Sequence, residues 1–188
     1  MELCDDQSLF DFICISTHRV MAQKERETNE KQLIGIFYQV CDALRYLHER
    51  GLVHNDISLS NILRQGPQWK LSDFSLVKRV DSDEQQNVTT LGVTRPFAPP
   101  EKVLDRKFSA ASDMYSFGVA MFVAISGSLE LFEKIGKAYQ AKQAVNAADH
   151  VRDLLSTNQS VICTINEDFR TMLISLVEHD YKKRPTAA

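Results

Sequence analysis

Hydrophobic positions fall at helical spacing over most of the chain and into short strand-like runs in its centre. Leu33, Ile36, Phe37, Val40, Cys41, Leu44 and Leu47 recur three and four residues apart, which predicts one amphipathic helix. Asn29 with Gln32 resembles a capping box at its start, and Gly51 stands where a left-handed residue closes a helix. Residues 8–15 predict a shorter helix opened by a polar cap, and the polar stretch 22–32 reads as a solvated connection. After Gly51 the texture changes. Leu52-Val53 is a short apolar run, and Asn61-Ile62-Leu63 and Trp69-Lys70-Leu71 flank the turn signal Gly66-Pro67, predicting a small hairpin. Residues 75–100 show no helical period and hold three of the five prolines, the pattern of a functional or mobile segment. From Ser109 to Ser126 the chain is apolar nearly all round and predicts a central core helix. Residues 131–155 and 167–178 predict two more helices, the second with Phe169, Met172, Leu173, Leu176 and Val177 on one face. The fold class is therefore mainly α with short β-hairpins.

Composition narrows this picture. With 188 residues, 44 % hydrophobic and 25 % charged, the chain has the proportions of one globular domain rather than a disordered one. A net charge of −3 leaves no electrostatic footprint for nucleic acid or an anionic membrane. The longest apolar stretch, Tyr115 to Ser126, is well short of the ~20 residues of a bilayer span. The acidic start, Met1-Glu2-Leu3-Cys4-Asp5-Asp6, lacks the basic region and cleavage site of a signal peptide, so a cytoplasmic or nuclear protein is expected. Cys4, Cys14, Cys41 and Cys163 form no Cys-x-x-Cys pair, which favours reduced thiols over a zinc site or disulfides.

Asp56, Asn61 and Asp73 sit beside apolar strand-like segments, where a carboxylate or amide is costly unless paired. The hairpin brings its two ends together, so Asn61 and Asp73 could form an oxygen half-site for a hard cation such as Mg²⁺. Asp56, five residues before Asn61, could serve the same cleft as a base. The competing reading of the same residue types is that Asp56 and Asn61 only cap turns.

His54-Asn55-Asp56-Ile57-Ser58-Leu59-Ser60-Asn61 resembles the catalytic loop of protein kinases, and Asp73-Phe74-Ser75 resembles their Asp-Phe-Gly motif. Pro99-Pro100-Glu101 is similar to Ala-Pro-Glu, Asp113-Met114-Tyr115-Ser116-Phe117-Gly118 to the start of the central helix, and Arg184-Pro185 to the late arginine. The order and spacing identify the chain with the large C-terminal lobe of a protein kinase, from a hinge at 1–6 to the start of a last helix at 184–188. The resemblance implies ATP and Mg²⁺ as cofactors and a protein substrate. It implies Asp56 as catalytic base and Asn61 and Asp73 as metal ligands. It also implies Leu63 as the floor under adenine, Glu2 and Cys4 as hinge contacts to it, and His54 and Phe74 as packing residues. Glu101 and Arg184 would form a buried ion pair.

Four features depart from the family pattern. Asn55 replaces the loop arginine that receives an activation-loop phosphate, so activity should not depend on such phosphorylation, with Thr89 and Thr90 as plain loop residues. Ser58 stands where a Ser/Thr kinase carries the lysine that contacts the γ-phosphate. Ser75 replaces the motif glycine, implying a stiffer motif. No Gly-x-Gly-x-x-Gly loop or Val-Ala-x-Lys strand is present, so the β-rich small lobe is lacking and negligible turnover is expected. Thr94, seven places before Glu101, leans toward Ser/Thr specificity. A pseudokinase or docking lobe is the alternative function.

Overall fold

The structure is a computed structural model that describes residues 7–17, 23–80, 86–87, 97–126, 133–134, 137, 147–157 and 167–187. Helix α1 (Leu9–Thr17) is opened by Ser8. The Asp11 amide donates to Ser8 Oγ (3.2 Å) and the Ser8 amide returns a bond to Asp11 Oδ2 (3.1 Å), a reciprocal cap. Its Phe12 ring meets Trp69 edge-on at 5.6 Å, seating α1 on the hairpin.

Helix α2 runs Gln23–His48, so it begins six residues before Asn29 and takes up most of the stretch expected to be a connection. The reason is local propensity. Gln, Lys, Glu and Arg propagate a helix without any apolar period. The periodic part behaves as expected: Leu33, Ile36, Phe37, Val40, Leu44 and Leu47 are buried, with Cys41 partly so. Burial pushes the Cys41 thiol up from its ordinary range, which keeps it protonated and inert. Gly51 has φ +66°, and a Cβ there would meet the Val80 carbonyl oxygen at 2.8 Å.

Among the described residues, three two-stranded antiparallel sheets follow. Strand β1 (Leu52–Val53) pairs with β4 (Lys78–Arg79). The expected hairpin is β2 (Ile62–Gln65) with β3 (Gln68–Leu71), in the register Ile62 to Leu71. The Trp69 amide donates to Gln39 Oε1 (2.9 Å) and ties the hairpin to α2. Strand β5 (Gln86–Asn87) pairs with β6 (Lys107–Phe108). The described parts of 75–100 are therefore anchored by β4 and β5 rather than being structureless. Such two-residue strands carry no readable alternation, because their partners are remote in sequence.

Helix α3 (Pro100–Leu104) precedes the core helix α4 (Ala110–Ser126), which is buried continuously from Ser112 to Ala124. It packs on α2, with Phe37 and Phe117 rings 6.1 Å apart. Helix α5 (Ala147–Thr157) covers only the end of the segment expected to be helical from 131. Most of 131–146 lies outside the described residues. Helix α6 (Glu167–Leu176) presses on α4 at Gly118, where a Cβ would meet Leu176 Cβ at 2.7 Å and Val177 Cγ1 at 3.0 Å. Leu173, Leu176 and Val177 are buried, but Met172 is 37 % exposed and belongs to the helix margin rather than its packed face. No helix among the described residues is long and apolar enough to cross a membrane.

Candidate active site

The site is built around one buried carboxylate. Asp113, in the first turn of α4, is 1 % exposed. It accepts from the His54 amide at Oδ2 (2.7 Å), from the Asn55 amide at Oδ1 (2.8 Å), and faces His48 Nε2 at 3.0 Å. A buried carboxylate is tolerable when several donors replace water. Here those donors come from α2 and from the loop leaving β1, so Asp113 fixes where that loop starts.

His54 is fully buried and its hydrogen bonds set its tautomer. The Asp56 amide can only donate, so His54 Nδ1 accepts from it (3.3 Å) and Nε2 carries the proton toward the Ser72 carbonyl (3.0 Å). The ring thus spans from the loop to the end of β3. A second strut runs parallel to it: the Ser72 amide (2.9 Å) and hydroxyl (3.0 Å) both donate to the Asn61 carbonyl.

Asp56 and Asn61 are in direct contact. Asn61 Nδ2 donates to the Asp56 carbonyl (2.8 Å) and to Asp56 Oδ2 (2.9 Å). Both partners are acceptors, so the amide orientation is forced and Asn61 Oδ1 faces the other way. Asp73 follows Ser72 directly, in a left-handed conformation (φ 57°, ψ 72°) at the head of the 3-10 turn Phe74–Leu76. Its Oδ1 accepts from the Ser75 amide (3.3 Å) and hydroxyl (2.5 Å). Those two bonds hold its carboxyl below the usual carboxylate range. Among the described residues nothing donates to Asp73 Oδ2 or Asn61 Oδ1. The two side chains, one strut apart, thus offer oxygen atoms and no nitrogen, the donor chemistry that Mg²⁺ takes.

The other expected residues are placed as follows. Ser58 is 1 % exposed and its carbonyl accepts from the Asn61 amide (3.1 Å), so it lies beneath the loop rather than at its surface. Leu63 is partly buried on β2 and bridged to Ser8. Phe74 touches the His54 ring (5.2 Å between centroids) but is 53 % exposed, against the expectation that it packs. The left-handed step at Asp73 turns it onto an exposed surface turn. Glu101 and Arg184 form the expected buried ion pair, bidentate at 2.7 and 2.9 Å. Glu101 also accepts from Ser112 Oγ (2.8 Å), and Arg184 donates to the carbonyls of Ala111, Glu178 and His179. Glu2, Cys4, Thr89, Thr90 and Thr94 lie outside the described residues.

Two site residues escape the sequence reading. Asp113 carried a signal: an acid inside a helix that is otherwise apolar all round must have partners. Lys102 carried none. It looks like a solvated lysine on a short helix, yet it is 4 % exposed.

Comparison with known proteins places these features. The family profile described as "Protein kinase domain" matches residues 1–188. Over 188 residues, 99 % of the chain, the sequence is 28 % identical to Serine/threonine-protein kinase ppk16 of Schizosaccharomyces pombe and spans 25 % of that protein. It is 33 % identical over 142 residues, 74 % of the chain, to Ephrin type-A receptor 8 of Rattus norvegicus, covering 32 % of it. It is also 37 % identical over 110 residues, 57 % of the chain, to Inactive tyrosine-protein kinase kin-32 of Caenorhabditis elegans, covering 13 % of it. The chain thus spans a third or less of the length of these relatives.

Proposed function

Because the chain belongs to the protein kinase domain family, we propose that residues 1–188 act as the large lobe of an ATP-dependent protein kinase domain, from a hinge at 1–6 to the base of a last helix at 184–188. The reaction is transfer of the ATP γ-phosphate to a hydroxyl of a protein substrate. The observation that carries this reading is the Asn61 amide, pinned by Asp56 so that its oxygen faces away, with Asp73 one strut distant.

Asn61 Oδ1 and Asp73 Oδ2 are the atoms assigned to the metal. Bound there, Mg²⁺ with ATP supplies the transferable phosphoryl group and offsets the charge that develops on it. Asp56, its Oδ2 held by Asn61, receives the proton of the substrate hydroxyl. Positioning rather than covalent chemistry is the protein's contribution. Leu63 lies under adenine, and Glu2 and Cys4 meet it from the hinge. Ser58 supports the loop from below. Thr94, with the likeness over 99 % of the chain to a serine/threonine-protein kinase, favours Ser/Thr over Tyr hydroxyls.

A second reading, a lobe that binds without turnover, is favoured by one geometric fact: Asp73 Oδ1 is occupied by Ser75 where the family has glycine. A single experiment on the 188-residue chain tests the metal and nucleotide site on which the first reading depends. A thermal shift with ATP that requires Mg²⁺, lost in Asn61→Ala and Asp73→Ala but kept in Asp56→Ala, is expected. Absence of any Mg²⁺-dependent shift overturns the nucleotide-binding reading.

A further inference from the structure

We infer that Lys102 is a positioning residue of the catalytic loop, supplying from α3 the positive charge that the loop itself lacks. The functional meaning of this tether rests on the reading of Asp56 as the base. Its structural content does not.

Every polar group of Asn55 is engaged. Its amide donates to Asp113 Oδ1 (2.8 Å) and its Nδ2 to the Val53 carbonyl (3.4 Å). Its carbonyl (2.5 Å) and its Oδ1 (3.2 Å) both accept from Lys102 Nζ. Asn55 holds φ +70°, a conformation that asparagine visits more readily than long or branched side chains. The residue immediately before Asp56 is thus locked from both sides, by α4 through Asp113 and by α3 through Lys102. Asn61 locks Asp56 from the other direction.

The chemistry of the exchange is complementary. A guanidinium at position 55 would offer only donors and a like charge to the Lys102 ammonium, whereas asparagine offers an acceptor. The cation has moved from the loop to the helix that carries Glu101. Neighbouring positions on α3 therefore serve two anchors: Glu101 reaches Arg184, and Lys102 reaches the loop. No phosphate is needed to hold this arrangement.

Burying an ammonium is costly. Desolvation pushes the Lys102 ammonium down to about 8, against the pull of Asp113, Asp56 and Glu101, while Lys78 pushes the same way as burial.

The test is NMR and hydrogen exchange on the 188-residue chain. In Asn55→Asp a carboxylate faces the ammonium, and the Lys102 titration midpoint moves up from about 8 by about one unit or more. An unchanged midpoint overturns the contact. In Lys102→Met the amides of residues 54–56 exchange about tenfold faster, while those of α2 and α4 exchange no faster. Unchanged loop exchange, or equal acceleration in loop and helices, overturns the positioning role. If Lys102→Met does not fold, the Asn55→Asp titration decides. No arm uses phosphotransfer, so failure here leaves the Asp56 assignment standing, and loss of that assignment leaves the tether standing.

Discussion

The rear and the front of the site are built on opposite principles. At the rear, Asp113, Glu101, Lys102 and Arg184 are at most 6 % exposed, and each makes two or more polar contacts outside its own element, those of Lys102 both to Asn55. At the front, Asp73, Phe74 and Ser75 are exposed and bond mainly within their own turn. Buried polar networks fix geometry because leaving any member unpaired is expensive. Exposed groups keep unused acceptor atoms, which is what a ligand needs. The difference teaches that position is set at the back and chemistry is offered at the front, so the two should respond differently to mutation.

The sharpest way to expose this asymmetry is Glu101→Ala. Removing one partner of the buried pair strands Arg184 and should cost about 3–5 kcal/mol in urea unfolding. A loss below about 1 kcal/mol would break the comparison, because such values belong to surface pairs.

A smaller effect comes from the buried ammonium. The Lys102 pKa is depressed in the fold to about 8 from 10.5, so between those values the unfolded chain binds the extra proton. Stability from this group is therefore fully present above 10.5 and lost as pH falls through about 8. Relative to Lys102→Met, the wild type should gain at most about 3 kcal/mol from pH 7 to 10.5. A flat difference between the two proteins would show that the lysine is solvated and does not belong with the rear.

The smallest effect should come from the front. Ser75→Ala removes the hydroxyl bond to Asp73 and should change stability by less than about 0.5 kcal/mol. Its carboxyl should titrate closer to the ordinary carboxylate range, read by NMR, because the bonds from Ser75 are what hold it low. A large stability loss would place Ser75 among the anchors.

Legibility in the sequence followed the same divide, with one reversal. The apolar period of Leu33 to Leu47 and the continuous burial of α4 were readable because a core leaves a 3.6-residue imprint. The hairpin that carries Asn61 at its head and leads to Asp73 was readable because the Gly66-Pro67 turn fixes which residues pair. The early start of α2 was not, since those residues have helix propensity but no apolar pattern. Met172 was misplaced because spacing cannot say where a packed face ends, and Phe74, expected from the resemblance to pack, meets the His54 ring but stays half exposed. Lys102 was invisible because its partner, Asn55, lies 47 residues away. Residue type alone gives a lysine no reason to be inside.

Gly118 gives the assembly a mechanical side. A single methyl at this point of α4 has nowhere to go but against the end of α6. Leu176 and Val177 lead straight into Glu178 and His179, whose carbonyls steady the Arg184 guanidinium. A wedge at 118 would act as a lever, prying the arginine off its carboxylate from a position that touches neither. One missing carbon thus works as a spacer gauge for a clasp several residues down the chain.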